Sequence, residues 1–182
     1  MKQMIDDLLL FARIRTKVTN MGLISMQTVL HDVLVMLDPE IVETHAVVSF
    51  GDLPSVLADP GLLRQVFQNL IGNAIKFHSK DRAPYIHVSS EQQDGNWIFS
   101  VRDNGIGILS QHLERIFQIF DRLHTEEEFS GSGIGLAICR KIVERHGGRI
   151  WATSIVEQGS IFSFSIPVHS IESANNAGSA GR

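Results

Sequence analysis

The stretch "EEEFSGSGIGLAICRKIVERHGG", residues 126–148, decides how this chain is read. Three glycines at alternate positions, Gly131, Gly133 and Gly135, lead into an apolar run with helical spacing that ends at Gly147-Gly148. A glycine pair after a periodic run is a helix stop, so the sequence predicts a helix from Gly133 to His146. Glycines at the start of a helix leave backbone N–H groups free to meet an anion. Two phosphate loops are excluded at once. The dinucleotide fingerprint G-x-G-x-x-G needs glycine at position 136, which is Leu136, and the preceding "TEEEF" is no buried strand. A P-loop needs G-K-[ST], which does not follow. Any phosphate site here has to be completed by other parts of the chain.

Working outward, "YIHVSS" and "WIFSVR" alternate and predict a hairpin joined by "EQQDGN", with Trp97, Phe99 and Val101 on one face. "RIWATS" and "SIFSFSIP" predict a second hairpin, with Phe162, Phe164 and Ile166 pointing inward. "VVSF" is a candidate strand, and residues 110–121 read as short helix and loop. Upstream, Ser25 caps a helix running to about Leu37, with Val29, Val33, Leu34 and Leu37 on one face. A longer helix follows Asp59 as N-cap and Pro60 as first helical residue. Residues 1–19 predict a helix whose Met1, Met4, Leu8 and Phe11 follow a 3-4-3 spacing, the seam of a partial coiled coil. Residues 170–182 are small and polar and predict a disordered tail. Helices and hairpins without regular βαβ alternation argue for an α+β fold, a mostly antiparallel sheet with helices on one face.

Composition narrows the function classes. The chain has 182 residues, 43% of them hydrophobic and 20% charged, enough for one ordinary core plus an appendage. A net charge of −4 argues against nucleic acid, whose phosphates need clustered Lys and Arg. The single cysteine, Cys139, excludes an intramolecular disulfide, suits a reducing cytosol and reads as a packed core thiol. No apolar run approaches the roughly 20 residues of a membrane span.

Two constellations carry possible chemistry. Asn69, Asn73 and Lys76 fall at i, i+4 and i+7 on the long helix and so share a stripe. An Asn oxygen there suits Mg²⁺ shared with phosphates, and Lys76 supplies a point charge; two solvated or internally satisfied amides are the alternative. In "VRDNGIGI", Asp103 stands just past a strand, with Gly105 and Gly107 behind it. Its carboxylate suits the exocyclic amine of adenine, and a plain turn is the alternative.

The order of these parts resembles the ATP-binding catalytic domain of sensor histidine kinases, within the superfamily of gyrase B, Hsp90 and MutL. "NLIGNAIKF" looks like the N box, "DNGIGI" the G1 box, "IFQIF" the F box and "GSGIGLAI" the G2 box. The wording from Ile116 to Gly148 is especially similar to kinases attached to phytochrome and PAS-type sensors. The resemblance implies a two-layer α/β sandwich of the Bergerat type, with ATP between sheet and helices under a mobile lid. It implies that Asp103 recognises adenine, Asn73 ligates Mg²⁺, and Asn69 and Lys76 serve the phosphate and catalytic end. It further implies ATP contacts at Gly105, Gly107, Phe117, Phe120, Arg122, Gly131, Gly133, Gly135 and Leu136, with His124 close to the phosphates.

ATP-hydrolysing relatives carry glutamate where this chain has Asn69, and an amide has no usable basicity. Phosphotransfer to a histidine is therefore expected in place of hydrolysis. "IDDLLLFARI" looks like the end of the second dimerisation helix, which sets the domains as residues 1–19, 20–169 and a tail. The acceptor histidine is expected on a dimerisation domain supplied in trans, with a response-regulator receiver domain downstream and a cytoplasmic setting. His31 is followed by Asp32 but lies past that helix and reads as an ordinary helix residue. Glu157 stands where the last glycine box usually has glycine, which puts the local turn geometry in question. The alternatives are an anti-sigma-type serine kinase and a non-catalytic nucleotide-binding module of the same fold.

Overall fold

The computed structural model describes Ile5, Leu8, Leu9, Phe11, Ala12 and residues 20–119 and 133–168. Met1, Met4, Phe120, Arg122, His124, Gly131 and the tail at 170–182, all named above, lie outside the described residues.

The expected two-layer sandwich is what forms. Strand β1 (Gly22–Ser25) pairs antiparallel with β3 (Ser55–Ala58) as a small two-stranded sheet. Between them lie helix α1 (Met26–Met36), helix α2 (Asp38–Thr44) and strand β2 (Val47–Phe50). Helix α3 (Pro60–Lys76) follows, then β4 (Tyr85–Gln93) and β5 (Asn96–Asp103). Two short 3₁₀ turns, Ser110–His112 and Arg115–Phe117, lead toward α4 (Gly135–Arg145), β6 (Ile150–Ile155) and β7 (Gly159–Pro167). The main sheet has the order β2-β4-β5-β7-β6, parallel only between β2 and β4.

Local chemistry accounts for the helix ends. Ser25 Oγ accepts from Thr28 N–H and caps α1. Asp59 Oδ1 accepts from Gly61 N–H at 2.9 Å and Leu62 N–H at 3.2 Å, and Pro60 opens α3 where a missing N–H costs nothing. The β4–β5 connection is tighter than the sequence suggests: the strands run on to Gln93 and Asn96, joined by Asp94 and Gly95 with φ of 50° and 74°. Two left-handed residues in succession match the right-handed strand twist, which is why Asp-Gly serves. Helix α4 starts later than expected, at Gly135, because Gly133 has φ 70° and cannot continue a right-handed helix.

The core lies between the helices and one face of the main sheet. From α3 come Leu63, Val66, Phe67, Leu70 and Ile71, and from the sheet Phe99, Val101, Phe164 and Ile166. Phe67 meets Phe164 edge-on at 5.6 Å between ring centres, and Phe164 stacks on Phe99 at 5.2 Å. The opposite sheet face is polar, with Ser100 and Ser163 hydroxyls 2.8 Å apart across β5 and β7. Antiparallel sheets tolerate one solvated face, and this alternation is why both hairpins were legible.

Helix α4 is tied at two points besides its packing. At its C-terminal end His146 is buried; Nδ1 donates to Ile142 O at 2.8 Å and Nε2 accepts the Asp59 N–H at 3.1 Å. In its middle, Lys141 Nζ donates to Phe11 O at 2.6 Å and stands 3.6 Å from the centre of the Phe11 ring. Phe11 is helical, as expected for the N-terminal segment, and packs on the core through this contact.

Candidate functional site

Helix α3 buries one stripe and presents the other to the start of α4. Asn69, Asn73 and Lys76 lie on that second stripe and are half-buried. Asn69 meets the first residue of α4: a Cβ built on Gly135 would stand 2.8 Å from Asn69 Oδ1. Glycine at 135 is thus a steric requirement of the Asn69 side chain. Among the described residues Asn69 Nδ2 is buried with no hydrogen-bond partner, and its side chain lies against the Cys139 thiol. The nearby Cys139 thiol donates to Val66 O at 3.9 Å, and burial pushes its pKa up to about 12. It is a core thiol, as its setting in the sequence implies.

Asp103 is the last residue of β5. Its Oδ1 accepts two backbone N–H groups, from Gly105 at 2.8 Å and Ser160 at 3.1 Å. Burial raises the carboxyl above its ordinary 3.8, and the bonds from Gly105 and then Ser160 pull partly against that rise. Both bonds fall on Oδ1, and among the described residues none falls on Oδ2.

The turn from 103 to 107 needs its glycines. A Cβ on Gly105 would lie 2.4 Å from Phe77 O, and Gly107 has φ 72° with Ile155 O only 2.3 Å from a Cβ position. The turn is bound to the end of α3, since Ile106 N–H donates to Phe77 O at 3.0 Å. It is bound to β4 through Asn104, whose Oδ1 accepts the Tyr85 N–H and whose Nδ2 donates to Ala83 O. A third tie was invisible in the sequence. Arg82 Nη2 donates to Gly105 O at 3.3 Å and also to Glu157 O. These contacts bring Gly105 and Ile106 against the Phe77 carbonyl, and the neighbouring Lys76 has its Nζ 4.3 Å from the Phe77 ring centre.

The remaining candidates divide. Gly133 and Leu136 flank the start of α4, and Leu136 packs against the core. Phe117 is buried with its ring edge toward Phe162 at 6.4 Å, a packing role. A cleft of about 660 Å³ opens beside the turn, with Arg82, Gly107, Ile108, His112 and Val156 among its walls. Asn69, Asn73 and Asp103 do not line it. A smaller hollow of about 260 Å³ near Asn96 and Gly148 touches none of the candidates. Among the described residues no three of His, Cys, Asp and Glu cluster as metal ligands.

Comparison with known proteins agrees with this fold. Residues 58–170 match the family described as "Histidine kinase-, DNA gyrase B-, and HSP90-like ATPase". Cyanobacterial phytochrome A of Nostoc sp. is 48% identical over 168 residues, 92% of this chain and 22% of that protein. The adaptive-response sensory kinase SasA of Prochlorococcus marinus is 50% identical over 120 residues, 65% of this chain and 32% of its own. The chain thus spans about a fifth to a third of the length of the curated relatives it matches. Among solved structures, full-length ShkA in complex with AMPPNP superposes with a TM-score of 0.77 at 30% identity, covering 90% of this chain and 35% of that one. The nucleotide-free catalytic domain of histidine kinase ThkA superposes with a TM-score of 0.70 at 30% identity, covering 82% of this chain and 96% of that one. On sequence and fold together, the chain belongs to the histidine kinase-, gyrase B- and HSP90-like ATPase family and stands in it with the catalytic domains of histidine kinases.

Proposed function

We propose that this chain binds Mg·ATP between α3 and the 103–107 turn and passes the γ-phosphoryl group to a histidine on a dimerisation domain. The observation that carries the reading is the Asp103 carboxylate, fixed through Oδ1 by two backbone donors while no described residue bonds Oδ2. An acceptor held so rigidly suits the 6-amino group of adenine and rejects a ring that offers a carbonyl there.

The phosphate end follows from α3. Asn69, whose Oδ1 meets the first residue of α4, would help fix the helix start that faces the phosphates. Asn73, one turn on, offers an oxygen of the kind Mg²⁺ accepts, and the bound ion would neutralise charge on the transferring phosphoryl group. Lys76 adds a positive charge on the same stripe, and Gly133 and Gly135 let the backbone before α4 approach closely. In the transfer, a lone pair of the acceptor imidazole forms the new P–N bond while the bond to the ADP oxygen breaks. ADP leaves, and the imidazole proton passes to water. Asn69 cannot activate water, so the chain's own residues favour this acceptor over hydrolysis.

The comparisons support the reading: relatives carry kinase names, ShkA was solved with AMPPNP, and ThkA was solved with the response regulator TrrA. A receiver domain is accordingly the proposed next acceptor of the phosphoryl group, and the cytoplasm the proposed setting. No described helix is long and apolar enough to cross a membrane.

Calorimetric titration tests the first step. Wild type is expected to bind Mg·ATP, Asp103→Ala to lose adenine nucleotides, and Asn73→Ala to lose the Mg²⁺-dependent part of the affinity. Failure of the wild type to bind would sink the proposal. Transfer is tested by adding a dimerisation domain that carries the acceptor histidine and following acid-labile phosphate.

A further inference from the structure

We infer that Arg82 is a positioning residue for adenine recognition: its guanidinium staples the 103–107 turn to the turn between β6 and β7, and so sets Asp103. The inference rests on the ATP reading above.

The two turns share one backbone bond, Glu157 N–H to Ile106 O at 2.8 Å. Arg82 adds a side-chain connection by reaching both Gly105 O and Glu157 O from one nitrogen. Gly105 is therefore gripped on both polar atoms, its N–H by Asp103 Oδ1 and its carbonyl by Arg82. Displacing Gly105 displaces the bond that orients the carboxylate.

Glu157 gives the staple a second task. Its φ is 63°, a left-handed conformation that side-chain-bearing residues adopt reluctantly, at the position where the resemblance leads one to expect glycine. Its N–H is held by Ile106 and its carbonyl by Arg82, so the peptide is fixed on both sides. β7 begins just beyond, at Gly159, and Ser160 N–H is the other donor to Asp103 Oδ1. A shift of the 156–158 turn thus reaches Asp103 by this path too. Arginine suits the task because the two N–H groups of Nη2 are held in one plane, where a lysine ammonium rotates freely.

Arg82→Met, Arg82→Lys and Arg82→Met combined with Glu157→Gly, made in the full chain, test this by amide exchange and by titration with Mg·ATP and Mg·GTP. In Arg82→Met, exchange at Ile106, Gly107 and Glu157 is expected to accelerate without nucleotide. ATP affinity is expected to fall roughly fivefold, as for one charge-assisted hydrogen bond partly replaced by water. The preference for ATP over GTP narrows with it, Arg82→Lys loses less, and Glu157→Gly restores part of the loss. Equal weakening toward ATP and GTP, or unchanged exchange at those amides, overturns the inference while leaving ATP binding in place. If wild type binds no nucleotide the proposed function fails, and the exchange measurement still decides whether Arg82 holds the turn.

Discussion

Asp103 makes a prediction with a definite sign. A carboxyl raised above its ordinary value holds its proton more tightly in the folded chain than in the unfolded one. It favours folding below pH 3.8, and that contribution is lost as pH rises through the raised value. At neutral pH the buried charge opposes folding, so Asp103→Asn, which keeps an oxygen for Gly105 and Ser160, is expected to melt no lower than wild type at pH 7. The same shift acts on binding. A protonated Asp103 is a poorer acceptor for the adenine amine, so ATP affinity falls with falling pH sooner than with an ordinary aspartate. A profile that follows only the titration of the nucleotide's own phosphates would contradict the assignment. Gly135 makes the second residue-scale case. Gly→Ala early in a helix usually helps by up to about 1 kcal/mol, but here the methyl group drives the Asn69 amide aside. Gly135→Ala is expected to leave the melting temperature nearly unchanged and to weaken Mg·ATP binding in titration.

At the scale of elements, what could be read from the sequence depended on how local the cause was. The caps of α1 and α3, both hairpins and the end of α4 follow from residues within a few positions of one another, and they stand where expected save for the shorter β4–β5 turn. Strands β1 and β3 escaped notice because "GLIS" and "SVLA" have four residues each and gain their stability from pairing with each other across more than thirty positions. Helix α2 escaped because it buries no residue fully and rides on its Pro39 start and the left-handed His45 at its end. The site divides the same way. The Asn stripe and the glycines of the turn were visible as patterns, while Arg82 was not, since its partner Glu157 lies 75 residues away. The Asp59 cap is expected to matter beyond its own helix, because the same residue receives Asn20 N–H on Oδ2 and donates its N–H to His146. Asp59→Ala should lower unfolding free energy by about 1 to 2 kcal/mol in a urea titration, the upper part of the usual cap range. A loss under about 0.5 kcal/mol would show the cap to be dispensable.

For the whole molecule, one apolar interface carries the fold, between the helical layer and the Phe99–Phe164 face of the sheet. A single core of this kind is expected to unfold in one cooperative step, so circular dichroism and tryptophan fluorescence melts of the described domain should coincide. Two separated transitions would show that the β1–β3 pair with α1 comes apart alone. Helix α4 crosses that interface with its first residue against Asn69, its middle against Phe11 and its last turn against Asp59. A rod seated at three places cannot shift at one without tilting against the other two. A change at the first turn of α4 would therefore be felt at Phe11, which lies 130 residues from Lys141 along the chain yet one side chain away in space.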